Sequence, residues 1–246
     1  MSAPDGSRDG ARRAELAAAL AGVEDRIAAA CAAAGRDRSQ VRLVVVTKTY
    51  PAADVLTLSE LGVGDVGESR QPEAGRKHDA CQQAGGTSLR WHFVGALQTN
   101  KAASVARFAS LVHSVDRLRL VAALDRGAAR AERTVECLVQ VDLDTRAGAS
   151  DQRSGAASGD VAAVADAIAA AEHLALRGVM AVAPLDADPA EAFQRLAAIS
   201  AAVATDHPGA DVMSAGMSGD LEEAVAAGTT LLRVGRAILG ERPPLR

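Results

Sequence analysis

Eight short apolar runs recur along this chain, separated by longer stretches with helical spacing, and that alternation constrains the fold more than any other feature. The first run, Leu43-Val44-Val45-Val46-Thr47-Lys48, is unbroken and β-branched. Such a run suits a strand buried on both faces, as in a parallel sheet clad by helices. Further strands are expected at Asp65 to Glu68, Leu89 to Val94, Leu111 to Val115, Val135 to Val141, Ala175 to Val182, Asp211 to Met213 and Thr230 to Val234. Between them, helices are predicted from Pro51 to Leu61, Gln71 to Ala84, Asn100 to Ala106, Arg117 to Arg130, Val161 to Ala171, Pro189 to Ala204 and Leu221 to Ala227. One more helix stands in front, where Leu16, Leu20, Val23, Ile27 and Cys31 form an apolar face over Ala11 to Ala34. Eight strands with seven intervening helices fit a closed barrel better than an open sheet. The expectation is an α/β protein: a single (β/α)8 TIM-type barrel over residues 11–246, with residues 1–10 as a polar, disordered tail.

Composition removes several classes of function. The formal charge is −4, from 27 basic and 31 acidic residues, and no basic stripe with interleaved aromatics appears, so nucleic acid is not an expected partner. No run approaches the ~18 apolar residues of a membrane span, and Met1 to Gly10 lack the apolar core of a secretory signal. Cys31, Cys81 and Cys137 are odd in number and form no metal-ligand spacing, which points to reduced thiols in a cytoplasmic protein.

In helix-clad parallel sheets, chemistry collects at the carboxyl ends of the strands. Lys48 closes the first strand, where it either snorkels its charge into solvent or serves a site. Two stretches near the C-terminus resemble anion cups. Ser214-Ala215-Gly216-Met217-Ser218-Gly219-Asp220 follows strand seven and opens a helix, and Arg233-Val234-Gly235-Arg236 ends strand eight. Glycines and serines at such positions also make plain turns and helix caps. In a closed barrel strand one neighbours strand eight, which puts the Lys48 amine beside both loops. An amine next to a phosphate cup suits a phosphorylated carbonyl compound held as a Schiff base, and pyridoxal 5′-phosphate has the matching groups. Arg233 could then face the pyridine nitrogen, where its charge would disfavour ring protonation, or else form an ion pair at the barrel rim. The stretch from Asp144 to Gly159 reads as a long mobile loop and a possible lid.

The chain resembles the pyridoxal phosphate homeostasis proteins from about Val44 to Gly240. The resemblance rests on Val45-Val46-Thr47-Lys48-Thr49, Val66-Gly67-Glu68-Ser69-Arg70, Trp91 to Lys101, Arg177-Gly178-Val179-Met180-Ala181, Ser214 to Ser218 and Arg233-Val234-Gly235. It implies a barrel of the alanine-racemase N-terminal type, the fold type III of pyridoxal-phosphate proteins without its C-terminal β-domain. It also implies a monomer, with the cofactor bound to Lys48. The other implied contacts come from Ser69, Ser214, Gly216, Met217, Ser218, Arg233, Gly235 and Arg236. Several positions depart from the family pattern: Ser69 stands where Asn is usual, Pro72 replaces Gln, Ala96 replaces Pro, and Arg236 replaces a Thr or Ser at the phosphate.

His92 alternates with Trp91 and Phe93 and reads as a satisfied core or rim histidine, while His113 and His173 lack partners at ligand spacing. Asp142 and Asp144 read as solvated acids flanking a loop. Racemase and decarboxylase barrels carry a second, β-rich domain, whereas this sequence ends at Arg246, just past strand eight. Two-base racemisation would be poor without a second proton-transfer group. The expected function is therefore a carrier that buffers pyridoxal phosphate, with apoenzymes as candidate recipients and little or no turnover. Alternatives are a weak amino-acid racemase or lyase, and a Schiff-base aldolase acting without cofactor.

Overall fold

The structure, a computed structural model, describes residues 5–85, 88–144 and 155–241. Eight strands, β1 (Arg42–Val46), β2 (Asp65–Glu68), β3 (Arg90–Phe93), β4 (Leu111–Val115), β5 (Val135–Gln140), β6 (Leu174–Met180), β7 (Val212–Ser214) and β8 (Leu231–Val234), close into a parallel barrel in sequence order. The seam pairs β1 with β8 in the register Val44↔Arg233 and Val45↔Val234. The helices are α1 (Asp5–Ala33), α2 (Ala52–Glu60), α3 (Glu73–Gln83), α4 (Ala102–Ala106), α5 (Leu118–Arg130), α6 (Val161–Ala169), α7 (Pro189–Asp206), α8 (Leu221–Ala226) and α9 (Arg236–Leu239).

Strand alternation divides the apolar side chains into two cores. Val44, Leu111, Leu138, Met180 and Leu231 fill the barrel interior, while Val45, Val66, Trp91, Phe93 and their neighbours face the helical layer. Gly178 on β6 lies tight against β7: its φ is +139°, and a Cβ there would lie 2.0 Å from the Val212 carbonyl oxygen. Gly178→Ala is accordingly expected to cost about 2 kcal/mol or more, read as a lower urea midpoint at unchanged slope.

Element ends shift from the sequence expectation by one or two residues, and two helical turns differ by more. Helix α1 begins at Asp5, so the tail predicted over residues 1–10 is helical from its fifth residue, and residues 1–4 lie outside the described part. A polar helical turn makes no apolar stripe, so periodicity cannot reveal it. The single turn α9 went unpredicted for a similar reason, being shorter than one period of the pattern needs. The predicted loop from Asp144 falls mostly on residues 145–154, outside the described residues. Its far end returns to the sheet, where the Ala156 N–H donates to the Gln140 carbonyl at 2.7 Å and the Asp142 N–H to the Ala156 carbonyl at 2.9 Å.

Helix α1 does more than precede the barrel. It buries Leu16, Val23, Ile27 and Cys31 against α8 and α9, across the β8–β1 seam. Arg12 reaches Asp54 at 2.8 Å and the Leu239 carbonyl at 3.1 Å, joining α1 to α2 and α9. All three cysteines are buried and unpaired.

Candidate functional site

The inward face of β1 samples every layer of the barrel. Arg42 lies at the amino end, Val44 in the apolar middle, Val46 at the floor of a cavity, and Lys48, two residues further on, in the cavity itself. The cavity has a volume of about 830 Å³ and opens at the carboxyl ends of the strands. Lys48 is half-buried rather than enclosed.

Its backbone is held on both sides by α3. The Lys77 ammonium donates to the Thr47 carbonyl at 2.7 Å, and the Thr49 N–H donates to the Glu73 carboxylate at 2.7 Å. Thr49 has a φ of +72°, a conformation that costs a non-glycine residue energy and persists only where neighbours enforce it. Lys77 also pairs with Glu68 at 2.6 Å, beneath the helical layer, and Glu68 accepts from the Thr47 hydroxyl at 2.7 Å. Burial outweighs the attraction of Lys77 and pushes the Glu68 carboxyl up from its ordinary value.

Arg233, at the end of β8, lies across the cavity floor and is 4% exposed. Burial pushes its guanidinium down to about 10, with the charge of Asp220 working the other way, so it stays cationic at neutral pH. It donates to the Ser214 hydroxyl at 2.6 Å and to the Ala181 carbonyl at 2.8 Å, both neutral acceptors.

Met217, Ser218, Gly235 and Arg236 also line the cavity. The loop after β7 is braced from behind, since Arg26 of α1 donates to the Ser218 carbonyl at 3.2 Å and pairs with Glu222 of α8. Asp220 accepts from the Met217 N–H at 2.6 Å. A Cβ on Gly235 would stand 2.9 Å from the Val46 carbonyl oxygen, so glycine lets the exit of β8 lie against that of β1.

Three expected residues are placed differently. Ser214 was expected to offer its hydroxyl to an anion. It is fully buried, does not line the cavity, and commits that hydroxyl to Arg233 and to His113. Gly216 also lies off the cavity wall: its φ is +88°, and a Cβ would strike Ala224 and Leu232, so it serves the packing of the loop on α8. Ser69 is half-buried at the exit of β2 with its backbone against Gly95, again off the wall. Asp142, read from sequence as solvated, lines the cavity with Gln140 and Tyr50.

Below the cavity lies a polar file that the sequence did not announce. His92 is fully buried and bonded to Asp65 at 2.8 Å and to His113 at 2.9 Å, and His113 meets Ser214 at 3.0 Å. Burial pushes both imidazoles down, His113 well below its ordinary value. Burial would also raise Asp65, but the hydrogen bond from His92 and the positive charges around it hold that carboxyl below its usual range. Asp65 further pairs with Arg42, while Arg90 and Arg177 share Glu136 at the barrel's amino end.

A parallel barrel of this topology, with its cavity at the strand exits, places the chain in a known class: the family described as "Alanine racemase, N-terminal domain" matches residues 19–243. Alanine racemase from Streptomyces coelicolor shares the fold at a TM-score of 0.70 and 14% identity, over 94% of this chain and 58% of that one. Stronger likeness runs to pyridoxal phosphate homeostasis proteins. The Mycobacterium tuberculosis protein of that name is 44% identical over 94% of each chain, and the Escherichia coli one 33% identical over 93% of this chain and 97% of its own. The structure of PipY from Synechococcus elongatus with PLP bound is 30% identical, covers 92% of this chain and 100% of that one, and gives a TM-score of 0.77. The chain belongs to the pyridoxal phosphate homeostasis protein family.

Proposed function

We propose that the protein binds pyridoxal 5′-phosphate through Lys48 and serves in its homeostasis as a buffer and carrier. The observation that carries this reading is the placement of the lysines. The sequence has only three, Lys48, Lys77 and Lys101. Lys77 is buried in its pair with Glu68, and Lys101 is exposed on the turn before α4, so Lys48 alone faces the cavity. The donor set fits the cofactor. Arg233 is a buried cation with neutral partners, suited to a neutral nitrogen acceptor, and the loops bearing Ser218, Gly235 and Arg236 offer backbone N–H groups and a guanidinium to a phosphate. When bound, pyridoxal phosphate supplies an aldehyde that an amine captures reversibly and a ring that withdraws electrons.

Lys48 supplies the amine, in a half-buried position that leaves it reachable from the cavity mouth. Arg233 presents a fixed positive charge to the ring nitrogen, which disfavours protonation there and so weakens the electron withdrawal that turnover needs. That arrangement favours holding over catalysis. The extent of the likeness supports the same reading, since the chain matches 94% of the length of the mycobacterial homeostasis protein.

The experiment is α-hydrogen exchange of added amino acids in deuterated water, followed by NMR, with the pyridoxal phosphate-loaded protein. Exchange no faster than with free cofactor is expected. Rapid exchange would replace the carrier with a racemase or lyase.

A further inference from the structure

Five side chains from five strands run in file through the barrel, from its amino end to the cavity floor: Asp65, His92, His113, Ser214 and Arg233. The consecutive separations are 2.8, 2.9, 3.0 and 2.6 Å. The ends of the file fix its direction. A guanidinium has only donors, and a carboxylate has only acceptors. Between them stand a hydroxyl and two imidazoles, each of which, when neutral, gives one proton and takes one. Only one arrangement makes all four bonds without adding a proton. Arg233 donates to the Ser214 oxygen, Ser214 donates to Nδ1 of His113, Nε2–H of His113 donates to Nδ1 of His92, and Nε2–H of His92 donates to Asp65. The reverse order would turn a bare nitrogen of His92 toward the Asp65 carboxylate unless His92 took a second proton. The surroundings disfavour that proton: both rings are fully buried, with Arg42, Arg90 and Arg233 as the nearby cations and Asp65 as the carboxylate in contact.

We infer that His113 and His92 are positioning residues for Arg233: their one-way chain from Asp65 keeps the Ser214 hydroxyl an acceptor and so holds the guanidinium against the ring-nitrogen position of the cavity. The inference rests on the proposed function for the identity of that ring, and on the hydrogen-bond file alone for its polarity. Without His113 the Ser214 hydroxyl is free to turn, and Arg233 loses the fixed acceptor that aims it.

Two measurements test the file. In the full-length protein without cofactor, long-range ¹H–¹⁵N correlations of the imidazoles are expected to show both His92 and His113 as neutral Nε2–H tautomers, unchanged between about pH 6 and 8. An Nδ1–H tautomer at either residue, or a titration near the ordinary ~6.5, overturns the inference. In the second, pyridoxal phosphate is titrated into the wild type, His113→Leu and His113→Gln, and followed by visible absorbance. The leucine variant is expected to bind about tenfold more weakly, with the pH midpoint of its bound spectrum displaced. Glutamine, which can accept from Ser214 and donate to His92, is expected to stay within about threefold of wild type. Equal binding and equal spectra in all three would overturn the inference, even if thermal stability differed. A wild type that takes up no pyridoxal phosphate would sink the functional reading instead, leaving the tautomers to decide the file.

Discussion

Lys48→Ala is expected to abolish the visible absorbance that the wild type gains on incubation with pyridoxal phosphate, and to weaken retention of the cofactor by about 100-fold or more, some 2.7 kcal/mol. On the proposed reading, the substitution removes the covalent bond and leaves Arg233 and the loops after β7 and β8 to hold the ligand. Folding stability should change by no more than about 0.5 kcal/mol, because the side chain is half-buried at a strand exit. Borohydride reduction followed by peptide mapping makes the result unambiguous in a chain with three lysines. An adduct at Lys101 or Lys77, or one that survives in Lys48→Ala, would end the assignment.

The second large effect is structural. Lys77→Met should destabilise the protein by about 3–5 kcal/mol, because it strands the fully buried Glu68 carboxylate without its cation. The Thr47 hydroxyl still donates to one Glu68 oxygen, while the other already lacks a hydrogen-bond partner among the described residues. Arg13→Ala, which breaks an exposed pair with Glu60, should cost less than about 1 kcal/mol in the same urea experiment. The sign of the pH dependence separates the mechanisms. A carboxyl whose folded value is raised stabilises the fold below its unfolded value of ~4.3, and that contribution is lost as pH rises through the folded value. The gap between Lys77→Met and wild type should therefore be smallest in acid and widen toward neutrality. Cofactor binding should weaken as well, since Lys77 anchors the carbonyl immediately before Lys48.

Much of the site was legible because a strand's alternation is written in consecutive residues. Val44, Val46 and Lys48 point inward by parity, and β8 beside β1 follows from closing the barrel, so Lys48 and Arg233 line one cavity without any further information. What stayed hidden depends on pairs that no local pattern encodes. Asp65, His92 and His113 sit on three different strands, and only the register of β2, β3 and β4 brings them into file. Ser214 is placed differently for the complementary reason: in a Ser-Ala-Gly-Met-Ser-Gly stretch every serine looks like a cup, but this one belongs to the strand and points into the barrel. Lys77 lies on a helix whose sequence is strongly polar, so its buried partner could not be inferred from α3 alone.

The seam between β8 and β1 ties distant parts of the chain together. Lys48 leaves the seam on one side and Arg233 on the other, and the contact from Arg12 to Leu239 joins residues 227 positions apart. Contacts of such separation carry a large loop-closure cost. A ligand held by Lys48 on one side of the seam and by Arg233 on the other, as proposed above, would act as a staple that keeps the ring shut.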